Sequence, residues 1–383
     1  MKNRNLPSGT RDEFGALALI KENIENKLFS QFKKHGFVKL TTPVLEYADV
    51  FRPLKLSNYR PYQMLDQNGR NLVLRPDMTL PIARVLSTTD ISLPIKVYYG
   101  GDVFRLKKQL SGGYNQISQA GIEIIGYKEL KAEWECLLIG INSCRRLGIK
   151  NLEVEIGYAR FVDEILKILP LPNSIKISLK ESLFAKNMGK YQQLCLPLKN
   201  SPFNAFLSEW PWLFGNFTSV INTVYKFPKL APLKPIISSL KKTFNFLKRI
   251  FPQQNLNLDL SSPSTQSYYT GTTFQAFTKD SNDYLFSGGR YDNLLKNFQN
   301  LKKPAVGLAF DIDVLAKHLS LPREKKHTLI YFRSDQWKEA EKKVQEIPNS
   351  SLCLSNSLVE AKRIALSLNY NLLNLDRKTQ RTK

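Results

Sequence analysis

The chain has 383 residues, 42% of them hydrophobic, and a formal net charge of +23. This length and composition predict one large core with a smaller second domain, and they exclude a mainly disordered protein. No segment approaches the roughly 20 apolar residues that a membrane-spanning helix requires, and the first residues lack a signal-peptide core, so we expect a soluble, cytoplasmic protein with no membrane partner.

The first predicted element is an amphipathic helix that ends at Gly36, because apolar residues recur every three or four positions at Leu17, Ile20, Ile24, Leu28 and Phe32. Two further helices are predicted over about 77–86 and 130–147. Strands are predicted around them over residues 37–47, 72–75, 96–106, 117–126 and 152–156.

From about residue 170 to 254 prolines interrupt short helical patterns, which indicates an inserted helical region. Strands return over residues 256–262, 268–278 and 284–295, and residues 304–319 predict a strand leading into a helix. The predicted fold class is therefore α+β, with an antiparallel sheet flanked by helices in a domain spanning residues 1–320. Strand and helix then alternate over residues 321–376, which predicts a small C-terminal α/β domain, and a charged tail over 377–383 is expected to be disordered.

Cysteine, histidine and lysine are scattered along the chain. The four cysteines form no CxxC pair and only three histidines accompany them, so we expect no metal site and no disulfide framework. Lysine doublets occur from Lys33 and Lys34 to Lys342 and Lys343. This dispersal is typical of a lysine-rich composition, so nucleic acid is not the favoured partner.

Seven short strings, in this order, resemble the landmarks of the histidyl-tRNA synthetase family. They are LPSGTRD (6–12), TTPVLEY (41–47), LRPDMT (74–79), VFR (103–105), QAGIEIIG (119–126), YYTGTTF (268–274) and SGGRYDNLL (287–295). The resemblance covers about residues 1–320. It implies the class II aminoacyl-tRNA synthetase fold and a dimer formed through the strand around Pro43.

Most of the arginines with which that family holds ATP are absent. Arg105 is retained from the second class II motif, but Lys107 and Gln116 occupy its acid positions and Gly113 and Asn115 occupy its later arginine positions. Ser264 occupies the position of the catalytic arginine. The glycine, acid and arginine that end the third motif are matched by Asp311, Asp313 and Val314. Guanidinium groups pair bidentately with phosphate, and losing one such positioned donor costs about 3 kcal/mol of transition-state stabilisation. The resemblance therefore implies that synthetase activity is lost, and we expect no catalytic residue and no cofactor.

The amino-acid half of the site is better preserved. By the resemblance, Asp77 and Thr79 hold an amino-acid ammonium, while Tyr268 and Tyr269 surround an imidazole. The remaining candidates for histidine binding are Arg105, Gln119 and Glu123. Each residue also has a purely structural interpretation: a helix start for Asp77, alternating strand positions for the tyrosines, backbone-satisfied polar groups for Gln119 and Glu123, and a salt bridge for Arg105.

A synthetase core with a damaged ATP site resembles the regulatory subunit family of ATP phosphoribosyltransferase, which acts in the first step of histidine biosynthesis. The resemblance implies a short-form catalytic subunit as partner, self-dimerisation within a hetero-oligomer, and histidine as a feedback effector. The roughly sixty C-terminal residues are too few for a full anticodon-binding domain. Two alternatives remain open, namely a divergent but active histidyl-tRNA synthetase and a synthetase-like tRNA-binding protein that uses the +23 charge.

Overall fold

The computed structural model describes residues 5–54, 60–106, 113–264, 266–299, 302–320 and 326–376. The chain divides into two compact units, Met1–Leu319 and Ser320–Lys383. The tail over 377–383, which the sequence predicts to be disordered, lies outside the described residues.

Within these residues the chain forms thirteen α-helices and fifteen strands. The helices are α1 (Ala16–Lys34), α2 (Thr79–Thr88), α3 (Lys131–Leu147), α4 (Phe161–Ile168), α5 (Asn173–Phe184), α6 (Met188–Cys195), α7 (Asn204–Glu209), α8 (Phe217–Tyr225), α9 (Lys234–Ile250), α10 (Lys296–Gln299), α11 (Ile312–Lys317), α12 (Trp337–Glu346) and α13 (Leu358–Ser367). The strands are β1 (Val38–Lys39), β2 (Leu45–Tyr47), β3 (Gln63–Leu65), β4 (Asn71–Leu74), β5 (Ile95–Phe104), β6 (Gln116–Ile125), β7 (Leu152–Tyr158), β8 (Phe214–Asn216), β9 (Asn255–Asp259), β10 (Thr272–Thr278), β11 (Ser281–Arg290), β12 (Ala305–Asp311), β13 (Thr328–Tyr331), β14 (Ser350–Leu352) and β15 (Asn371–Asn374).

A nine-stranded sheet in the order β1-β5-β6-β12-β11-β10-β7-β9-β8 organises the large unit. It is mixed rather than wholly antiparallel, because β1 pairs with β5, and β7 with β9, in parallel. The other neighbours are antiparallel. The predicted antiparallel sheet with flanking helices is therefore observed, with parallel pairs near its two edges.

Helices α1 and α3 cover one face of this sheet. Of the five apolar positions that predict α1, three are fully buried in the main core, namely Ile24, Leu28 and Phe32, while Ile20 packs half-buried against it and Leu17 is 36% exposed. Gly36 follows the helix with φ +77, a left-handed conformation that glycine adopts without a Cβ penalty. The periodicity and the predicted glycine stop therefore define this element correctly.

The predicted strand over residues 37–47 is wrong as a single element. β1 joins the large sheet, whereas β2 belongs to a separate sheet in the order β2-β4-β3. Between them the carbonyls of Thr42 and Pro43 accept hydrogen bonds from Arg75 Nη1, at 2.7 and 3.3 Å. Pro43 lacks an N–H and lies exposed in this irregular link, so it is not part of a strand.

The region over 170–254 is largely helical and packs on the same main core, with Trp210 fully buried at its centre. The sequence did not predict β8, whose three residues pair with β9 and attach this region to the edge of the large sheet. In the C-terminal unit, β14, β13 and β15 form a parallel sheet. Ala361 and Ala365 of α13 are buried in one of its two small cores, which gives the α/β pattern expected there.

Candidate functional site

A cavity of about 70 Å³ lies over the middle of the large sheet, where β6, β11 and β12 run side by side. It has room for a few waters or a small polar molecule. All seven predicted histidine-binding residues line it. They are Asp77, Thr79, Arg105, Gln119, Glu123, Tyr268 and Tyr269, which come from separate parts of the chain.

Asp77 connects the start of α2 to the aromatic wall of the cavity. One carboxylate oxygen accepts the backbone N–H of Leu80 in the first turn of α2, at 2.9 Å, so the helix-start interpretation holds. The other oxygen accepts the hydroxyl of Tyr268 at 3.3 Å. Burial raises the pKa of Asp77, and the nearby Arg105 guanidinium opposes that rise. Asp77 is thus a buried acid with one oxygen directed to the cavity.

Glu123 on β6 is the most enclosed acid of the site, with 1% of its surface exposed. Thr79 Oγ1 donates to one carboxyl oxygen at 2.7 Å, and the Tyr291 hydroxyl donates to the other in a short hydrogen bond. Burial raises the pKa of Glu123 to about 8, because hydroxyl donors only partly compensate the lost hydration and Asp77 adds a like charge. Side-chain hydroxyls therefore donate the hydrogen bonds that Glu123 accepts, whereas its purely structural interpretation expects neighbouring backbone groups to do so.

Gly307 on β12 makes room for this carboxyl group. It pairs with Glu123 across the β6–β12 ladder, and a Cβ atom there would overlap the carboxyl oxygens. The Glu123 carboxyl group therefore requires a glycine at position 307. Motifs read along the chain do not show this requirement, because the two residues meet only through strand pairing.

Four tyrosines line the cavity: Tyr99 comes from β5 of the sheet, and Tyr268, Tyr269 and Tyr291 come from outside the strands and form a tyrosine wall. Tyr268 packs edge-on against Tyr269 and Tyr291, with ring centroids 5.1 and 5.9 Å away. The sequence predicts Tyr268 and Tyr269 as alternating strand residues, and this is wrong, because β10 begins only at Thr272. Both lie in the turn before β10, so consecutive side chains can line the same cavity. Burial raises the pKa of Tyr99, of Tyr269 and of Tyr291, which keeps these hydroxyls protonated as donors.

Arg105 and Gln119 form the rim of the cavity. Arg105 follows the last residue of β5 rather than lying within the strand, and its Nε donates to the carbonyl of Pro76 at 2.7 Å. Gln119 stands on β6 opposite Asp311 of β12. The rim thus contains one guanidinium and one amide beside the acids of the interior.

The end of the third synthetase-like motif is occupied by two acids with partners inside the chain. Asp313 accepts hydrogen bonds from Arg11 and, at 3.0 Å, from the backbone N–H of Ser118, and Lys21 Nζ lies 2.9 Å from it. Asp311 accepts the backbone N–H of Val314 at 2.9 Å at the start of α11. Among the residues that the structure describes, this position therefore presents carboxylates rather than a group of cations that could hold a phosphate.

The residues that stand at other arginine and acid positions of the synthetase motifs also have structural roles. Asn115 donates through its amide to the carbonyl of Ser8 at 3.1 Å and to the Tyr62 hydroxyl at 3.0 Å. Gln116 donates to Asp102 at 2.7 Å. Ser264, at the catalytic-arginine position, donates to the carbonyl of Gln266 within its own loop at 3.2 Å. Lys107 lies outside the described residues.

Sequence reasoning missed several residues that line the cavity, among them Tyr99, Ser287, Tyr291 and Gly307. Tyr291 lies inside the SGGRYDNLL string, but that string predicts no histidine-binding position of its own. The other three are strand residues whose facing depends on register, which the sequence does not give.

Among the described residues, no helix is long and apolar enough to cross a membrane. In the same part of the chain, no group of three or more histidine, cysteine or acidic side chains is arranged to hold a metal ion.

Comparison with known proteins gives a consistent set of relatives. The sequence profile of the family described as histidyl-tRNA synthetase matches residues 9–315. The ATP phosphoribosyltransferase regulatory subunit of Lacticaseibacillus casei strain BL23 is 46% identical over 378 residues, which cover 99% of each chain. The protein of the same name from Lactiplantibacillus plantarum is 39% identical over 372 residues, which cover 97% of each chain.

Two solved structures share the fold. One, described as an ATP phosphoribosyltransferase regulatory subunit/histidyl-tRNA synthetase from Bacillus halodurans C, matches with a TM-score of 0.83 and 26% identity over 97% of this chain and 98% of that one. Histidyl-tRNA synthetase from Nostoc sp. PCC 7120 matches with a TM-score of 0.77 and 18% identity over 96% of this chain and 90% of that one. The predicted class II synthetase-like fold is confirmed.

Proposed function

Because this chain belongs to the family of ATP phosphoribosyltransferase regulatory subunits, we propose that it activates a separate short-form catalytic subunit and transmits feedback inhibition when histidine binds in the cavity over β6, β11 and β12. The observation that supports this proposal most directly is the contrast between the two halves of the site. The amino-acid half keeps buried acids and tyrosine hydroxyls, while the phosphate half contains carboxylates and amides.

Histidine offers the groups that this cavity would bind. Its ammonium group suits Asp77 and the Thr79 hydroxyl, and a ring N–H suits Glu123, the buried acid on the sheet. The tyrosine wall provides hydroxyls and ring edges around an imidazole. Arg105 lines the same cavity, and its guanidinium is the group that would pair with the histidine carboxylate.

The same geometry argues against adenylate formation. A triphosphate requires several fixed cations, but Asp313 is already neutralised by Arg11 and Lys21, and Asp311 starts α11. ATP at this position would meet carboxylates. Histidine would therefore act as a signal rather than as a substrate.

The proposed setting is a cytoplasmic hetero-oligomer. The catalytic subunit would supply the transferase chemistry, and this chain would contribute a self-dimer through the segment around Pro43, which is exposed. Relay of inhibition requires that histidine bind one state of the complex more tightly than the other, since only differential affinity can shift an equilibrium.

The test is formation of phosphoribosyl-ATP by the short-form catalytic subunit of the same organism, measured alone, with this chain, and with added histidine. The proposal predicts activity that requires both chains and falls with histidine. Failure of the two chains to associate, together with histidine-dependent ATP–pyrophosphate exchange by this chain alone, would instead support the synthetase alternative.

A further inference from the structure

We propose that an exposed apolar ridge on the inserted helical region is the docking surface for the catalytic subunit, and that it receives a segment with apolar side chains flanked by acidic ones. The apolar ridge consists of Phe184, Leu196, Trp212 and Phe214. This inference rests on the proposed function, because it assigns the partner to a particular surface.

The ridge is a stable surface feature rather than part of a loose core. Trp212 and Leu196 are each 64% exposed and Phe214 is 51% exposed. Two residues before Trp212, the Trp210 side chain is fully buried, and its indole N–H donates to the carbonyl of Leu260 at 3.1 Å. The link Trp210–Trp212 is therefore anchored inward at one end, while its second tryptophan faces solvent. Contiguous exposed apolar side chains on an ordered scaffold are typical of interaction sites.

Three members of the ridge are neighbours. Trp212 and Phe214 have ring centroids 6.4 Å apart, and Leu196 and Trp212 line the same groove of about 310 Å³. The lining of this groove also includes Met188, Leu207 and Pro211. An apolar recess of this kind suits an inserted aliphatic or aromatic side chain, which is how the central residues of protein interfaces pack.

The charge around the ridge indicates the chemistry of its occupant. Residues 171–250 contain twelve lysines and arginines but only two acidic residues, Glu181 and Glu209, so these 80 residues account for +10 of the net charge of +23. The lysine doublets are spread along the whole chain, but the excess of positive charge is concentrated in these 80 residues. The interval between the two acids contains Lys186, Lys190 and Lys199. Lys199 lines the groove beside Leu196 and Trp212. Lys186 lies over the Phe214 ring and donates to the Ser261 and Ser262 hydroxyls rather than to a carboxylate. Positive charge therefore borders the ridge, which suits an acidic partner.

One end of the ridge leads to the candidate histidine site. Phe184 and Lys186 line a second cavity of about 370 Å³, and Lys186 Nζ lies 6.0 Å from the centre of the Phe214 ring. Gln266, Tyr269 and Ser287 line both this cavity and the candidate histidine cavity. These three residues would therefore separate bound histidine from the cavity at the Phe184 end of the ridge. Through them, histidine binding could affect a partner segment docked on the ridge.

The experiment measures the affinity of the full-length chain for the catalytic subunit by sedimentation velocity, with Trp212→Ala and Leu196→Ala variants. Both side chains are exposed, so we expect unchanged thermal unfolding and histidine affinity within about twofold by calorimetry. The dissociation constant of the complex should rise at least about thirtyfold for Trp212→Ala, as for a central interface residue. Leu366→Ala, on an 84% exposed leucine of the C-terminal unit, is the matched control for Leu196→Ala and should bind normally.

Three results would overturn the inference, and they are distinguishable from one another. If wild-type chain binds and Trp212→Ala binds equally well, the ridge is not the docking surface although the proposed function stands. If wild-type chain does not bind the catalytic subunit at all, the proposed function fails and the inference fails with it. If instead wild-type chain binds total tRNA tightly and Trp212→Ala abolishes that binding alone, the occupant is RNA.

Discussion

Asp77 and Glu123 are two buried acids that line one cavity, and burial raises the pKa of both carboxyl groups. Burying carboxyl groups near each other is unfavourable for folding, since each loses hydration and the charges repel. Residues of this kind are common in ligand-binding sites, where a cationic group of the ligand restores the balance. This cost at the residue scale supports binding of an amino acid with an ammonium group.

Replacing Asp77 by asparagine should separate the structural role of this residue from its role in binding. The amide oxygen of the substituted side chain can still accept the Leu80 N–H, so α2 should keep its start, while the negative charge is lost. We predict at least a tenfold weaker affinity for histidine by isothermal titration calorimetry, because a charge-assisted hydrogen bond contributes about 1.5–3 kcal/mol. Asp90→Asn, at an exposed position, is the control. If Asp77→Asn binds histidine as tightly as wild type, histidine does not bind in this cavity.

Glu123 should make folding stability depend on pH. Its folded pKa of about 8 lies above its ordinary value of 4.5, so between these values the folded state holds a proton that the unfolded state has released. Stability of the large unit should therefore fall as the pH rises through this window, by up to about 1.4 kcal/mol per pH unit from this group.

Comparison with Glu123→Gln isolates this contribution from other titrating groups. Urea unfolding at pH values of about 5.5, 6.5 and 7.5, which span this window, should show a shallower decline for the variant than for wild type. Equal slopes in the two proteins would mean that Glu123 is ionised throughout the range.

At the scale of elements, the N-terminal segment and α11 are joined where the third synthetase-like motif ends. Asp313, with 12% of its side chain exposed, is held by Arg11, Lys21 and the Ser118 N–H. The resemblance expects a glycine, an acid and an arginine at this end of the motif, and the chain has Asp311, Asp313 and Val314, so Asp313 stands at the acid position and Val314 at that of the arginine. Asp313 therefore has a structural role, because it joins the N-terminal segment and α1 to β6 and α11.

Removing that acid should destabilise the large unit. In Asp313→Ala the cations of Arg11 and Lys21 would lose the counter-charge that they share, and we predict a loss of about 2 kcal/mol in chemical denaturation. Asp283→Ala breaks an exposed pair with Lys317 and should cost less than about 1 kcal/mol. Equal losses in the two variants would show that the Asp313 cluster is an ordinary surface contact.

The elements with strong local signals could be predicted from the sequence, and those set by distant partners could not. The helix α1 and the long strands β5 and β6 follow from periodicity and continuous apolar runs. Residues 37–47 have the composition of one strand, yet hydrogen bonds from Arg75 hold the middle of this segment away from any ladder. β8 has three residues and pairs with β9, some forty residues away, so the local sequence does not predict it.

The site shows the same division. Motif resemblance identified the seven residues that the structure brings together, whereas the Gly307 requirement and the facing of Tyr99 depend on strand register. The positions of Tyr268 and Tyr269 in one turn likewise follow from tertiary packing rather than from the local pattern.

At the scale of the whole molecule, a candidate histidine cavity, a nucleotide half that lacks most of the synthetase arginines and a basic helical region are combined in one chain of the regulatory-subunit family. The central claim is that the cavity senses histidine on behalf of the catalytic subunit. Activation and sensing then have separate origins, so one can be removed without the other.

The most direct test is the histidine concentration that halves phosphoribosyl-ATP formation by the catalytic subunit in complex with either wild-type chain or Asp77→Asn. We predict that both complexes are equally active without histidine and that the variant complex needs at least tenfold more histidine for the same inhibition. Inhibition of the variant complex at the wild-type histidine concentration would contradict the claim and assign histidine sensing to another site.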